Sequence, residues 1–162
     1  MPDVLILMGS DSDAPVMQAA VDVLKEFGIS SEMTVASAHR SPARVTRLVD
    51  EAPGRGVKIF IVGAGAAAHL GGVVAAHTTL PVIGVPIDSS ALKGLDALLA
   101  TVQMPPGVPV ATMAIGKPGA TNAAVFAAQI LGVADPAMAR KLVDYKKKLA
   151  EKVELAAAKL NG

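Results

Sequence analysis

The chain contains no cysteine and no tryptophan, and its aromatic residues amount to three Phe and one Tyr. Without cysteine there are no disulfides, no thiolate metal sites and no cysteine nucleophile, which suits a reducing compartment. With so few aromatics, single-stranded bases have little to stack on. Charge of one sign is lacking as well. Fifteen Lys and Arg stand against fourteen Asp and Glu, for a formal net charge of +1. No long basic run appears before the C-terminal segment, so the stripe that would neutralise a nucleic-acid backbone is missing. No apolar run reaches the roughly 18 residues that a membrane span needs, and the opening MPDVLILMG has neither the basic region nor the apolar stretch of a signal peptide. The sequence reads as a soluble, cytoplasmic protein with no metal site and neither nucleic acid nor membrane as a partner.

What is present is small and apolar. Hydrophobic residues make up 52% of 162 residues, enough for a sizeable core in one domain spanning 1–162. Apolar runs alternate with helical patterns along the chain. Val4–Met8, Glu32–Ala36, Val57–Val62, the stretch bracketed by Pro81 and Pro86, and Val108–Ala114 read as strands. Helices are expected from Asp13, as N-cap, to Gly28; from Ser41-Pro42 to Pro53-Gly54; over the alanine-rich stretch after Gly65; over Ala91–Val102; and over Gly119–Leu131. Five βα units whose strands are continuous apolar runs predict a parallel, doubly wound sheet with helices on both faces. Ligands then bind beyond the carboxyl ends of the strands. The last segment, 135–161, reads as one helix capped at Asp135-Pro136 and running to Leu160. Met138, Leu142, Tyr145, Leu149, Val153, Ala156 and Leu160 form one apolar stripe on it, to be packed on its own domain or on a neighbouring subunit.

Chemistry-bearing residues gather after the first three strands, in Gly9-Ser10-Asp11-Ser12-Asp13, Ser37-Ala38-His39-Arg40-Ser41-Pro42 and Gly63-Ala64-Gly65-Ala66-Ala67-Ala68-His69. In a parallel sheet these loops share one edge. The Gly-Ser turn before a helix offers N–H groups and a hydroxyl to an anion, although helix capping alone accounts for Ser12 or Asp13. Arg40 can grip a phosphate with its fork of donors or stand as a solvated surface residue. His39 sits between a strand end and Arg40-Ser41, and an imidazole titrating near pH ~6.5 can give and take a proton at neutral pH; a structural histidine is the plainer alternative.

Other chemistries fit less well. Gly63-Ala64-Gly65-Ala66-Ala67-Ala68 matches G-x-G-x-x-A, with Asp88 ending the next strand, as in a dinucleotide site. That fingerprint belongs to the first βα turn, however, and the chain lacks a second mononucleotide half. A phospho-receiver needs an aspartate where Gly63 stands, and a flavin carrier needs aromatics. Ser10 with His39 lacks the G-x-S-x-G elbow of a hydrolase.

Taken together, GSDSD at 9–13, SAHRSP at 37–42 and GAGAAAHLGG at 63–72 resemble the signature segments of the N5-carboxyaminoimidazole ribonucleotide mutase family. The resemblance continues through PVIGVP at 81–86 and LKGLDALLATVQMPPGVPVATMAIGKPGATNAA at 92–124, covering essentially the whole chain. It implies a three-layer flavodoxin-like sandwich with a five-stranded parallel sheet, assembled as a homo-octamer with sites at subunit junctions. It also implies an isomerase of purine biosynthesis that moves a carboxylate from the exocyclic nitrogen of an aminoimidazole ribonucleotide to carbon 4, with no cofactor. By position, Ser10, Ser37 and Arg40 would hold the phosphate and Asp13 the ribose. His39 would be the general acid/base, and Gly65, Ala66 and His69 would line the base and carboxylate end. Where Ala66 and Gly71 stand, the family commonly has glycine and proline. The related carboxylase, which uses free CO₂, resembles SAHK-G-P at the second segment, so Arg40-Ser41 favours the mutase. A non-catalytic nucleotide-binding module would explain Ser10 and Arg40 but leave His39 without a task.

Overall fold

Runs of Val, Ile and Leu build the centre of a five-stranded sheet. Strands β1 (Val4–Met8), β3 (Ile59–Gly65) and β4 (Val82–Ile87) are buried almost throughout. β2 (Ser31–Val35) is half-buried along its length, and β5 is only Ala111–Thr112. All pairings are parallel, in the order β2-β1-β3-β4-β5. A strand covered on both faces needs no polar alternation, which is why the central three read as unbroken apolar runs. This computed structural model describes residues 1–160; residue 161, the end of the expected C-terminal segment, lies outside the described residues.

The helices are α1 (Ala14–Phe27), α2 (Pro42–Glu51), α3 (Leu70–His77), α4 (Leu95–Val102), α5 (Lys117–Gly132) and α6 (Pro136–Leu160). Alternate residues of the central strands face opposite layers. Leu5, Leu7, Phe60, Val62 and Val82 pack with Val45, Leu48 and Val49 of α2, Leu70 and Val74 of α3 and Ala97 of α4. Gly63, whose register partner on β1 is Met8, faces Met17 of α1 on the other side. The sheet is therefore doubly wound, with strand β1 between β2 and β3 as in flavodoxin-like α/β folds. Its turning points follow local chemistry. α1 ends where Gly28 adopts φ +75° and Ile29 N–H reaches back to Leu24 O at 2.9 Å, a left-handed C-cap. α2 begins with Pro42 in its first turn, where a missing N–H costs nothing.

Several boundaries differ from the sequence reading, each for a local reason. β5 is two residues rather than the expected Val108–Ala114, since Pro109 removes a ladder donor and biases Val108. α4 starts at Leu95 rather than Ala91, because Lys93 and Gly94 take left-handed conformations at φ +52° and +84°. β4 runs through Pro86 to Ile87. Pro86 O accepts from Gly116 N on the β5 side, so the missing Pro86 N–H also faces that side, beyond the two residues that β5 pairs. β3 extends through Gly63-Ala64-Gly65, which pair with Val85, Pro86 and Ile87. These glycines are strand residues rather than a turn, which removes the dinucleotide fingerprint reading.

The sheet and the helices through Ala127 form one compact unit, and the chain from Ala128 onward forms a second. In the second, Asp135 caps α6 as expected: its Oδ1 accepts from Ala137 N at 2.8 Å and Met138 N at 3.3 Å. A side chain at Gly132 would come within 3.1 Å of Leu142, so the end of α5 and the start of α6 lie close together. Met138 is buried, but the expected stripe is exposed from Leu149 on, with Val153 at 67% and Leu160 at 87%. No helix among the described residues is long and apolar enough to cross a membrane.

Candidate functional site

Four strand ends contribute to one cavity of about 180 Å³ at the carboxyl edge of the sheet. From β1 come Gly9, Ser10, Ser12 and Asp13; from β2, Ser37, Ala38, His39 and Arg40; from β3, Ala64, Gly65, Ala67 and Leu70; from β4, Ser89. Of the sequence-predicted residues, Ser10, Asp13, Ser37, His39, Arg40 and Gly65 line the cavity. His69 reaches it through His39, and Ala66 does not line it. Ser89 was missed, although a doubly wound sheet places β4's carboxyl end on the same edge, and that rule would have found it.

The segment after β1 is a 3-10 turn over Asp11–Asp13 held by a capping box. Ser10 Oγ accepts from Ser12 N at 3.3 Å, and the Asp13 carboxylate accepts from Ser10 N at 3.1 Å. Asp13 stands at the N-cap position of α1, as expected, but its side chain turns back to Ser10 and makes no cap hydrogen bond to that helix. Burial pushes the Asp13 carboxyl above its ordinary range; the Ser10 N–H and the Arg40 charge oppose this only in part.

The segment after β2 is wound around Ser37. Its Oγ accepts from Arg40 N at 3.1 Å, and Arg40 Nη2 donates to Gly9 O at 3.0 Å across the β1–β2 gap. The guanidinium is thus aimed by the Gly9 carbonyl after β1 and the Ser37 hydroxyl after β2, which accepts from Arg40 Nε at 3.5 Å, while it stays exposed, with donors left for an anion. His39 meets His69 on the β3 side. Nε2 of His39 lies 2.8 Å from Nδ1 of His69, with the rings edge to face and their centres 4.9 Å apart. One of these nitrogens must carry the proton, so the tautomers of the two rings are coupled. Both imidazoles are exposed in the single chain.

The turn from β3 to α3 depends on small residues. A Cβ on Gly65 would overlap Ser89 Oγ and lie 2.8 Å from Ser89 Cβ, so glycine is needed for the β4 loop to close over β3. Ala66 adopts φ +49°, a left-handed conformation that costs a residue with a Cβ about 1–2 kcal/mol. Among the described residues, no cluster of His, Asp and Glu is arranged to hold a metal ion.

Comparison with known proteins identifies the family of the chain. The sequence profile of the AIR carboxylase family matches residues 3–152. An N5-carboxyaminoimidazole ribonucleotide mutase of Thermotoga maritima is 54% identical over 153 residues, covering 94% of this chain and 88% of that protein. A phosphoribosylaminoimidazole carboxylase of Saccharomyces cerevisiae is 52% identical over 159 residues, covering 98% of this chain but only 28% of the yeast protein. The crystal structure of Treponema denticola PurE superposes with a TM-score of 0.89 at 30% identity, covering 99% of each chain. The chain belongs to the AIR carboxylase family.

Proposed function

We propose that this protein is an N5-carboxyaminoimidazole ribonucleotide mutase, an isomerase of purine biosynthesis that needs no cofactor. The observation that carries the reading is the His39–His69 pair, 2.8 Å between nitrogens, at a cavity that also presents Arg40, Ser37 and Ser10. Arg40 and the two hydroxyls suit a phosphate, and Asp13 a ribose hydroxyl. Phosphate binding alone gives the imidazoles nothing to do.

The chemistry requires one proton given and one taken back. Protonation of the carbamate nitrogen breaks its N–C bond and frees CO₂ beside the aminoimidazole ring. Carbon 4 then attacks CO₂, forming the new C–C bond, and the imidazole, now neutral, removes the carbon 4 proton. An imidazole can serve both steps near neutral pH. Holding CO₂ against carbon 4 replaces a high solution concentration, and the lack of a side chain at Gly65 lets Ser89 close against β3 at the cavity wall. His69, hydrogen-bonded to His39, fixes the tautomer of the acting ring.

The test is an absorbance assay with N5-carboxyaminoimidazole ribonucleotide in bicarbonate-free buffer, which should give rapid formation of the 4-carboxy product. His39→Asn should lower kcat at least 100-fold, within the ~10²–10⁴-fold range for a lost general acid/base, while ligand affinity changes little. Turnover above a tenth of the parent rate would remove His39 from the chemistry. The second reading is the carboxylase, which the yeast relative's name supports. It predicts product only from aminoimidazole ribonucleotide and CO₂.

The proposal includes a cytoplasmic homo-octamer, as the resemblance implies, with α6 packed on a neighbouring subunit. Two exposed apolar stripes support an assembly. One is Leu149, Val153 and Leu160 on α6; the other is Leu95, Leu99 and Val102, spaced for one face of α4.

A further inference from the structure

Ser89 follows β4 and lines the cavity, and its side chain lies against the bare Cα of Gly65. Its hydroxyl has no hydrogen-bond partner among the described residues, whereas the neighbouring Ser90 is fully engaged. Ser90 Oγ donates to Asp96 Oδ2 at 2.7 Å and accepts from Leu92 N at 3.1 Å, and Ser90 O accepts from Lys93 N at 3.1 Å. The other Asp96 oxygen is buried with no partner, so this carboxylate's bond goes to holding the loop. Two left-handed residues, Lys93 and Gly94, complete the turn. Structure on both sides thus fixes a free hydroxyl at the cavity wall: a glycine on β3 that makes room for it and a carboxylate on α4 that ties down its neighbour.

We propose that Ser89 is a substrate-binding residue whose hydroxyl donates to the carboxylate that migrates. The inference rests on the mutase reading and goes beyond it in assigning that carboxylate a partner on β4. Sheet order supports the assignment. Arg40 follows β2 and Ser89 follows β4, three strand spacings apart, or about 14 Å. A ribonucleotide with its phosphate at Arg40 lies along this edge, past the ribose partner Asp13 after β1, and brings its base and carboxylate to β3 and β4. A hydroxyl donating to a carboxylate makes a charge-assisted bond. Its donor is also indifferent to whether the carboxylate is on nitrogen or on carbon.

The experiment compares two ligands on the parent protein and on Ser89→Ala by calorimetry: 4-carboxyaminoimidazole ribonucleotide and aminoimidazole ribonucleotide, which lacks the carboxylate. Loss of a hydrogen bond to a charged group predicts about tenfold to hundredfold weaker binding of the carboxylated ligand. Affinity for the other ligand should be unchanged, which also shows that the variant is folded. Equal affinities of parent and variant for the carboxylated ligand would overturn the assignment, and so would an equal loss for both ligands, which would mark a general change of pocket shape. If the parent itself fails to bind the carboxylated ribonucleotide, the mutase reading falls and this inference falls with it.

Discussion

Gly65→Ala isolates the contact that closes the site between β3 and β4. The added Cβ would overlap Ser89 Oγ and stand 2.8 Å from Ser89 Cβ and 3.1 Å from Ile87 O. A rotamer change can move the hydroxyl, but Ser89 Cβ is fixed by the backbone and lies about 0.7 Å inside carbon–carbon contact. The β4 loop must therefore move outward. Overpacking of this kind costs about 1–3 kcal/mol, or roughly 2–12 °C in melting temperature for a chain of this size. Activity should suffer more than stability, because a displacement near 1 Å at a reacting centre is worth about 100-fold. Thermal unfolding and kcat/KM on the single variant, then on Gly65→Ala combined with Ser89→Gly, separate the two effects. The second change removes both clashing side-chain atoms, so stability should return while activity does not. A single variant that unfolds and turns over like the parent would refute the reasoning. A double variant that stays as unstable as the single would place the strain at Ile87 O instead of Ser89.

Burial raises the Asp13 carboxyl above 3.8, so the folded state binds its proton more tightly than the unfolded chain. Its contribution to stability is then fullest below pH 3.8 and is lost as pH rises through the folded value. Asp13→Asn should therefore gain on the parent in urea midpoint as pH is raised across that window, and a gain that shrinks with pH would contradict the sign. Asp3 runs the other way, because Lys58 at 2.8 Å and Ser30 hold its carboxyl low. Its contribution is present above pH 3.8 and fades as pH falls through the lowered value, so Asp3→Asn should cost less stability in acid than at neutral pH. Ala66→Gly relieves the left-handed conformation at φ +49°. About 1–2 kcal/mol of strain, less about 0.4–1 kcal/mol of added chain entropy, leaves a gain between zero and about 1.6 kcal/mol by denaturant titration, whereas Ala66→Val should lose stability; the reverse order would show that the loop is not strained. A chain truncated at Asp135 should lose assembly by light scattering, and retention of the full oligomer size would remove α6 from the interface.

Elements with a strong local signal were legible in the sequence. Gly28 ended α1, Pro42 started α2, Asp135 capped α6, and β1 was found to the residue, because each depends on a propensity or an apolar run that its neighbours do not override. The edge of the sheet was less legible. Pro109 shortened β5, and the paired left-handed residues Lys93 and Gly94 delayed α4. The loops after β1, β2 and β3 could be grouped on one edge from topology alone, and six of the eight residues named from them line one cavity. The Ser10–Asp13 box, the Arg40–Gly9 bond and the His39–His69 pair could not be read, since each joins side chains to groups whose spacing the fold sets.

Gly63 and Gly65 show why a motif is weak without its surroundings. As a string, Gly63-Ala64-Gly65 looks like a turn that cradles phosphates. In the fold it is strand, and each glycine is required by what lies above it. A Cβ on Gly63 would overlap Met17 Sδ of α1, and one on Gly65 would overlap Ser89 Oγ after β4. The first permits close helix packing and has no part in binding. The second admits a hydroxyl to the cavity wall. The same residue type, two positions apart on one face of one strand, serves the core in one case and the site in the other. What separates them is distance along the strand: Gly63 pairs with Met8, still within β1, whereas Gly65 lies two residues beyond the last β1 partner. Where the sheet runs out, a missing side chain leaves space that the loop after the next strand fills with a polar group of the cavity wall.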